Sequence, residues 1–325
     1  MGEASGPGII ESDQLRVVHS PDTGMYAVFS PGASHILLFD SSGAFVRRIG
    51  RPRPGPKEIA GLIDVQFNGS RVVALDYAGP KLLVMDLMGR HISDTRLPVR
   101  AGRFRMVADT SLVVGSIDAS PSLVGHPLHT IVLTTGQAIR HFGSKDGEFR
   151  AYEPFAEDVV LGWSPDQSRV WRGDRSRVYL EEWHVDGPPL RTVHGKLGWF
   201  DEPEPRRSSG PPPSLVSDFG VDIEDRLWLA VLVPDPGWRE IRSRGGESMI
   251  PISEMDKYYD TRIDVFDLRG RRHLGSVTLD EASIGSFVQV GDAFTVHSLV
   301  YDRERVPRVA IYRVSLAPHS NRRNR

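Results

Sequence analysis

Arginine and aromatic residues gather in the segments that separate the apolar runs of this chain. Arg51, Arg53, Trp199, Arg206, Arg207, Trp238, Arg239, Arg242 and Arg244 lie there, with Tyr258 and Tyr259 at the edge of the last segment. Trp, Tyr and Arg are the types that dominate binding hot spots. Their grouping points to recognition of a protein, peptide or glycan. The competing reading is that the aromatic rings only pack these segments onto the body beneath. Trp238-Arg239-Glu240-Ile241-Arg242 reads as a short helix with an arginine-rich side, and Ser208-Ser209-Gly210-Pro211-Pro212-Pro213 as a stiff, extended hinge.

Signatures of catalysis are sparse. Gly162-Trp163-Ser164-Pro165-Asp166 has the serine of a G-x-S-x-G elbow but not its second glycine, and reads as a turn. The eleven histidines are scattered without H-E-x-x-H or H-x-x-x-H spacing, and there is no cysteine to act as nucleophile, thiolate ligand or disulfide partner. Asn68-Gly69-Ser70 matches a glycosylation acceptor, but Asn-Gly between two apolar runs is foremost a tight hairpin.

The elements that position these residues are read from turn spacing. Residues Leu62 to Leu97 form four short strands folded back on one another, with Asn68-Gly69, Tyr77-Ala78-Gly79-Pro80 and Leu87-Met88-Gly89 at the bends. Apolar runs ending in a Gly turn recur at Gly43, Gly89, Gly136 and Gly187, and once more at Gly270 after a longer gap. Glycine takes the positive φ such turns need, and Asp accepts their amides. Four strands per repeat, at intervals of about 40–50 residues, are the mark of propeller blades. The expected fold is all-β: one six-bladed β-propeller of four-stranded antiparallel blades over residues 15–316, with an insertion in blade five at about 234–258. The sixth blade lacks its outer strand or borrows it from the N-terminus. Residues 1–14 would supply that closure, although Gly2 to Gly8 reads as a loop, and 317–325 form a disordered basic tail. More sequence upstream would supply both the missing strand and an export signal.

The order "strand, Asp-x-x-Gly, strand, Gly-rich loop, strand" resembles six-bladed propellers of the NHL-repeat type found in bacteria. Gly50-Arg51-Pro52-Arg53-Pro54-Gly55-Pro56-Lys57-Glu58 is similar to their inter-blade connection, and Phe142 to Phe149 is a second copy. The resemblance implies a binding module or a hydrolase on one scaffold. On such a scaffold the long segments 50–61, 116–127, 143–154, 195–213 and 234–257 all fall on one face, which becomes the expected binding face. The alternative function is a calcium-dependent, lactonase-like hydrolase with the ion in the central channel. Asp64, Asp158, Asp218 and Asp222 are its candidate ligands. Calcium takes six to eight oxygens, and the scarcity of asparagine (Asn68, Asn321 and Asn324) weakens that reading. The preferred function is non-catalytic and needs no cofactor.

Composition narrows the partners. Net charge is -2 and a quarter of the residues are charged, so no global field favours nucleic acid. No run approaches the ~18 apolar residues of a membrane helix. A monomer is expected. The first residues lack the basic start and apolar stretch of a signal peptide, which places the chain as it stands in the cytoplasm, or outside it if the natural chain begins earlier.

Overall fold

The computed structural model describes residues 1–2, 8–10, 15–50, 58–77, 79–118, 126–143, 159–162, 164–195, 197–200, 210–238, 257–280, 287–290, 293–304 and 306–316, with backbone alone at 116–118 and 289. They form six antiparallel sheets, each a simple meander. Blade one is β1 (Arg16–His19), β2 (Tyr26–Phe29), β3 (Ile36–Phe39) and β4 (Phe45–Ile49). Blade two is β5 (Leu62–Asn68), β6 (Arg71–Asp76), β7 (Lys81–Asp86) and β8 (His91–Arg96). Blade three is β9 (Arg100–Ala108), β10 (Ser111–Asp118), β11 (Leu128–Val132) and β12 (Ala138–Phe142). Blade four is β13 (Val159–Gly162), β14 (Arg169–Asp174), β15 (Tyr179–His184) and β16 (Pro189–His194). Blade five is β17 (Leu215–Val221), β18 (Arg226–Pro234), β19 (Tyr259–Asp267) and β20 (Arg272–Leu279). Blade six has three strands among the described residues, β21 (Phe287–Val290), β22 (Ala293–Tyr301) and β23 (Pro307–Arg313). The fold is the expected six-bladed β-propeller, with the short blade at the expected place.

Burial explains the strand patterns. The second and third strands are covered on both faces by neighbouring blades, so β3 is a continuous apolar run and β7 is apolar and buried from Leu82 to Met85. Outer strands alternate instead, as in β8, because one face meets solvent. Apolar clusters fill the gaps between sheets: Ile36, Leu38, Ile49 and Ile59 pack with Leu62, Val72 and Leu83 across blades one and two.

The turns between third and fourth strands repeat one device. Asp86 Oδ1 accepts the amides of Met88 and Arg90 at 2.9 and 2.8 Å, and Gly89 takes φ 79°. Asp40 serves Ser42 and Ala44 in the same way. These turns, and the first-to-second-strand turns such as Asn68-Gly69, lie at one end of the ring by the meander order. The second-to-third-strand turns and the connections between blades lie at the other.

The ring is closed at its short blade. Met1 N donates to Val309 O at 2.7 Å, and Val309 N donates back to Met1 O at 2.7 Å. Arg308 also donates to Gly2 O. Ile10 is buried with Val17, Val28, Val288 and Val309 between blades six and one. The upstream strand and the basic tail expected from the sequence fall outside the described residues.

Candidate functional site at the mouth of the central channel

The innermost strands surround the axis, and register shows which residues share a level. Arg71, Ser111 and Arg226 begin their second strands opposite the last residue of the third, namely Asp86, Val132 and Asp267. Four residues further on, Leu75, Gly115 and Ala230 oppose Asp64, Arg103 and Asp218 on the inner strands. The same count puts Val160, opposite Gly173, at this level in blade four. In blade one β3 stops one residue short of its turn aspartate Asp40, so Phe29 is three residues on from Tyr26, which opposes Phe39, and the level is held by its partner Arg16. Among the described residues the axis is therefore ringed by Arg16, Asp64, Arg103, Val160 and Asp218; the inner strand of blade six is described only from Phe287.

A bulge prepares three of these positions. One extra inner-strand residue, Ile63, Gly102 or Ser217, immediately precedes Asp64, Arg103 and Asp218. A bulge re-aims the side chain that follows it and strengthens local twist.

The two aspartates fasten seams between blades. Asp64 accepts the amides of Val65 and of Phe104 in the next blade, both at 3.1 Å. Asp218 accepts those of Phe219 and of Phe287 in the next blade, both at 2.8 Å. Arginines clasp other seams: Arg16 donates to Ile63 O at 2.7 Å, and Arg105, on β9 beyond Arg103, donates to Leu161 O at 2.8 Å. Arg175, in the turn after β14, gives its carbonyl to Val216 N at 2.8 Å. His297 Nε2 lies 3.1 Å from Leu15 O at the last seam.

Four arginines and two aspartates share this space. Burial, and then the charge of Arg103, pull the Arg16 guanidinium down to about 9, while Asp64 and Asp218 oppose the shift. Burial lowers Arg103 as well, against the same two carboxylates. Burial raises Asp218, with Arg105 and Arg103 opposing. Among the described residues Arg103 forms no hydrogen bond or ion pair and meets the carboxylates only through space. Arg175 and Tyr259 stand toward the end that carries the long connections, because both adjoin second-to-third-strand connections. Burial pushes the Tyr259 hydroxyl up to about 12, with Arg175 pulling the other way.

Of the residues expected to bind from the loops, Trp199, Trp238, Tyr258 and Tyr259 are described. Trp199 is half-buried in the core cluster of blades four and five, with the Arg262 guanidinium 4.1 Å over its ring. Tyr258 and Tyr259 are buried with Leu215 and Leu232, which leaves little of either ring for a ligand. Trp238 is half-buried, and its amide donates to Asp235 O at 3.1 Å at the base of the long blade-five connection. Arg51, Arg53, Arg206, Arg239 and Arg242 lie outside the described residues, as do the middles of all five long segments and the helix expected at Trp238 to Arg242.

The calcium ligands expected from the sequence do not converge. Asp158 lies outside the described residues. Asp222 belongs to the turn after β17, where it accepts from Arg226 at 2.7 Å and from Trp228 Nε1 at 2.9 Å. Only Asp64 and Asp218 reach the axis among the described residues. Each already has both oxygens on backbone amides and has arginines as neighbours. A cation that takes six to eight oxygens does not fit this set.

These features define a six-bladed β-propeller with an arginine-rich axial ring. A family model described as "6-bladed beta-propeller" matches residues 15–113. Among solved structures, the chain is similar to a candidate exported protein of Bacteroides fragilis, at TM-score 0.65 and 13% identity, with 98% of this chain and 94% of that one covered. It is similar to a member of the DUF4221 family from Bacteroides vulgatus, at TM-score 0.64 and 11% identity, over 94% and 96% of the chains. It also resembles hydrazine synthase of Kuenenia stuttgartiensis, at TM-score 0.53 and 8% identity, over 93% and 95%. At such identities the likeness is one of fold. Two curated tRNA dimethylallyltransferases, from Acidovorax ebreus and another Acidovorax strain, are 31% identical over 157 residues, 43% of this chain and 46% of theirs. The chain thus spans about half the length of the curated relatives it matches.

Proposed function

We propose that this protein is a non-catalytic recognition scaffold that binds a protein, peptide or glycan on the face bearing the long connections. The asymmetry of the two ends carries the reading. One end is made of short turns pinned by aspartates such as Asp40 and Asp86. The other end carries the long connections whose sequences hold arginine and tryptophan, on a frame clasped seam by seam. Binding residues on loops above a rigid scaffold is the common arrangement in repeat folds. Dimethylallyl transfer is not proposed, since the likeness to those enzymes covers less than half of either chain.

Defined peptide and glycan arrays test the reading. The protein is expected to select a restricted set of ligands. Trp238→Ala with Arg242→Ala is expected to weaken that binding at least ten-fold while leaving Tm within a degree or two. Binding unaltered by the double substitution would move the surface elsewhere on the molecule.

A further inference from the structure

From the axial ring we infer a second feature: the mouth of the central channel is an oxyanion site, built to take a carboxylate- or phosphate-type group with Arg103 as its central donor. The inference extends the recognition reading by naming the chemistry of one ligand group. It also stands apart from it, because the loops can fail to bind while the ring still does.

Charge supplies the first argument. Arg16, Arg103 and Arg105 share this space with Asp64 and Asp218. Among these five residues the excess is one positive charge, held where burial strengthens electrostatics in both directions. The aspartates act on the arginines through space and make no direct ion pair with Arg103, because their oxygens accept the amides of Val65, Phe104, Phe219 and Phe287.

Geometry supplies the second. Arg16 and Arg105 are fixed by carbonyls of the following blades, so their charges are placed before any ligand arrives. Arg103 lies at the same level as Arg16, behind a bulge at Gly102, and keeps its planar fork of donors unspent. A guanidinium fork matches two oxygens of a carboxylate or phosphate. The blade-four position at this level is Val160, which leaves the ring without a charge on that side, and Arg175 comes from the turn above it. An oxyanion there would offset the mutual repulsion of the arginines, and its desolvation would be shared by several donors.

The test is thermal melting and calorimetry of the full chain in anion-poor buffer. Inorganic phosphate and acetate are titrated separately against chloride at matched ionic strength, with calcium chloride as a further arm. Saturable stabilisation by phosphate or acetate beyond the chloride control is expected, and the better of the two names the preferred group. Arg103→Gln should abolish that response and raise Tm in anion-poor buffer, because one repelling charge is gone. A merely structural arginine would do the reverse. Equal shifts with chloride, stabilisation by calcium alone, or a destabilised Arg103→Gln that still binds would each overturn the inference. Should Arg103→Gln not fold, Arg103→Lys keeps the charge and loses the fork. It is expected to bind at least ten-fold more weakly, and unchanged affinity would overturn the inference.

Discussion

His129 shows how a single buried side chain couples this fold to pH. It is fully enclosed on β11, with Nδ1 2.7 Å from Nδ1 of His141 on β12. Burial, followed by the nearby charges of His141 and His126, pulls it down to about 4 from 6.5. A histidine depressed in the folded state binds protons more readily when unfolded, so stability rises with pH between those two values. The protein is expected to lose about 3 kcal/mol of stability as pH falls from 6.5 to 4. His129→Gln should flatten this limb of a denaturation-versus-pH profile, and a limb of undiminished slope would assign the effect to another group. Little of this was legible beforehand, because the sequence gives the eleven histidines no common spacing. The axial arginines were also missed, though a signal existed. Arg103 and Arg105 alternate with Phe104 and Met106 on an inner strand, where a bulky charge has no solvent-facing side to occupy.

At the scale of the strand, glycines set how closely blades approach. The Phe219 ring of blade five lies against Gly162 and Gly173 of blade four and meets Trp171 edge-on at 6.5 Å between centroids. A Cβ on Gly173 would stand 2.5 Å from Phe219 Cε1. Gly173→Ala is therefore expected to cost about 1–3 kcal/mol, as overpacked cores do. Phe219→Leu should recover part of the loss in a double-mutant cycle. Additive effects in chemical denaturation would mean that the two residues do not press on each other. Strands themselves were the most legible part of the sequence, because alternation and turn glycines repeat on a fixed period. Bulges were not: Ile63, Gly102 and Ser217 look like ordinary strand residues, and only pairing reveals them. Burial of Tyr258 and Tyr259 was equally hidden, since a loop's last residues and a strand's first look alike until the sheet is assembled.

On the scale of the whole molecule, the short blade makes closure the point of weakness. Met1 exchanges two backbone hydrogen bonds with Val309, and Ile10 fills the gap between the first and last blades. Removing residues 1–10 is expected to lower Tm by several degrees and to speed amide exchange in β23 and β1 before the other strands. Uniform exchange across all six sheets would show that this seam is no weaker than the rest. Repeat counting located the short blade, whereas the partner of its edge depends on where ten N-terminal residues with no strand pattern come to lie.

The clasps between sheets also give the ring a sense of rotation. Arg16, Asp64, Arg105, Asp218 and His297 each reach forward, to backbone groups at Ile63, Phe104, Leu161, Phe287 and Leu15. An arc cut from this circle would have unlike ends, one offering side chains and the other bare main chain. A version with one unit inserted or lost could reclose only where a giver met a matching receiver.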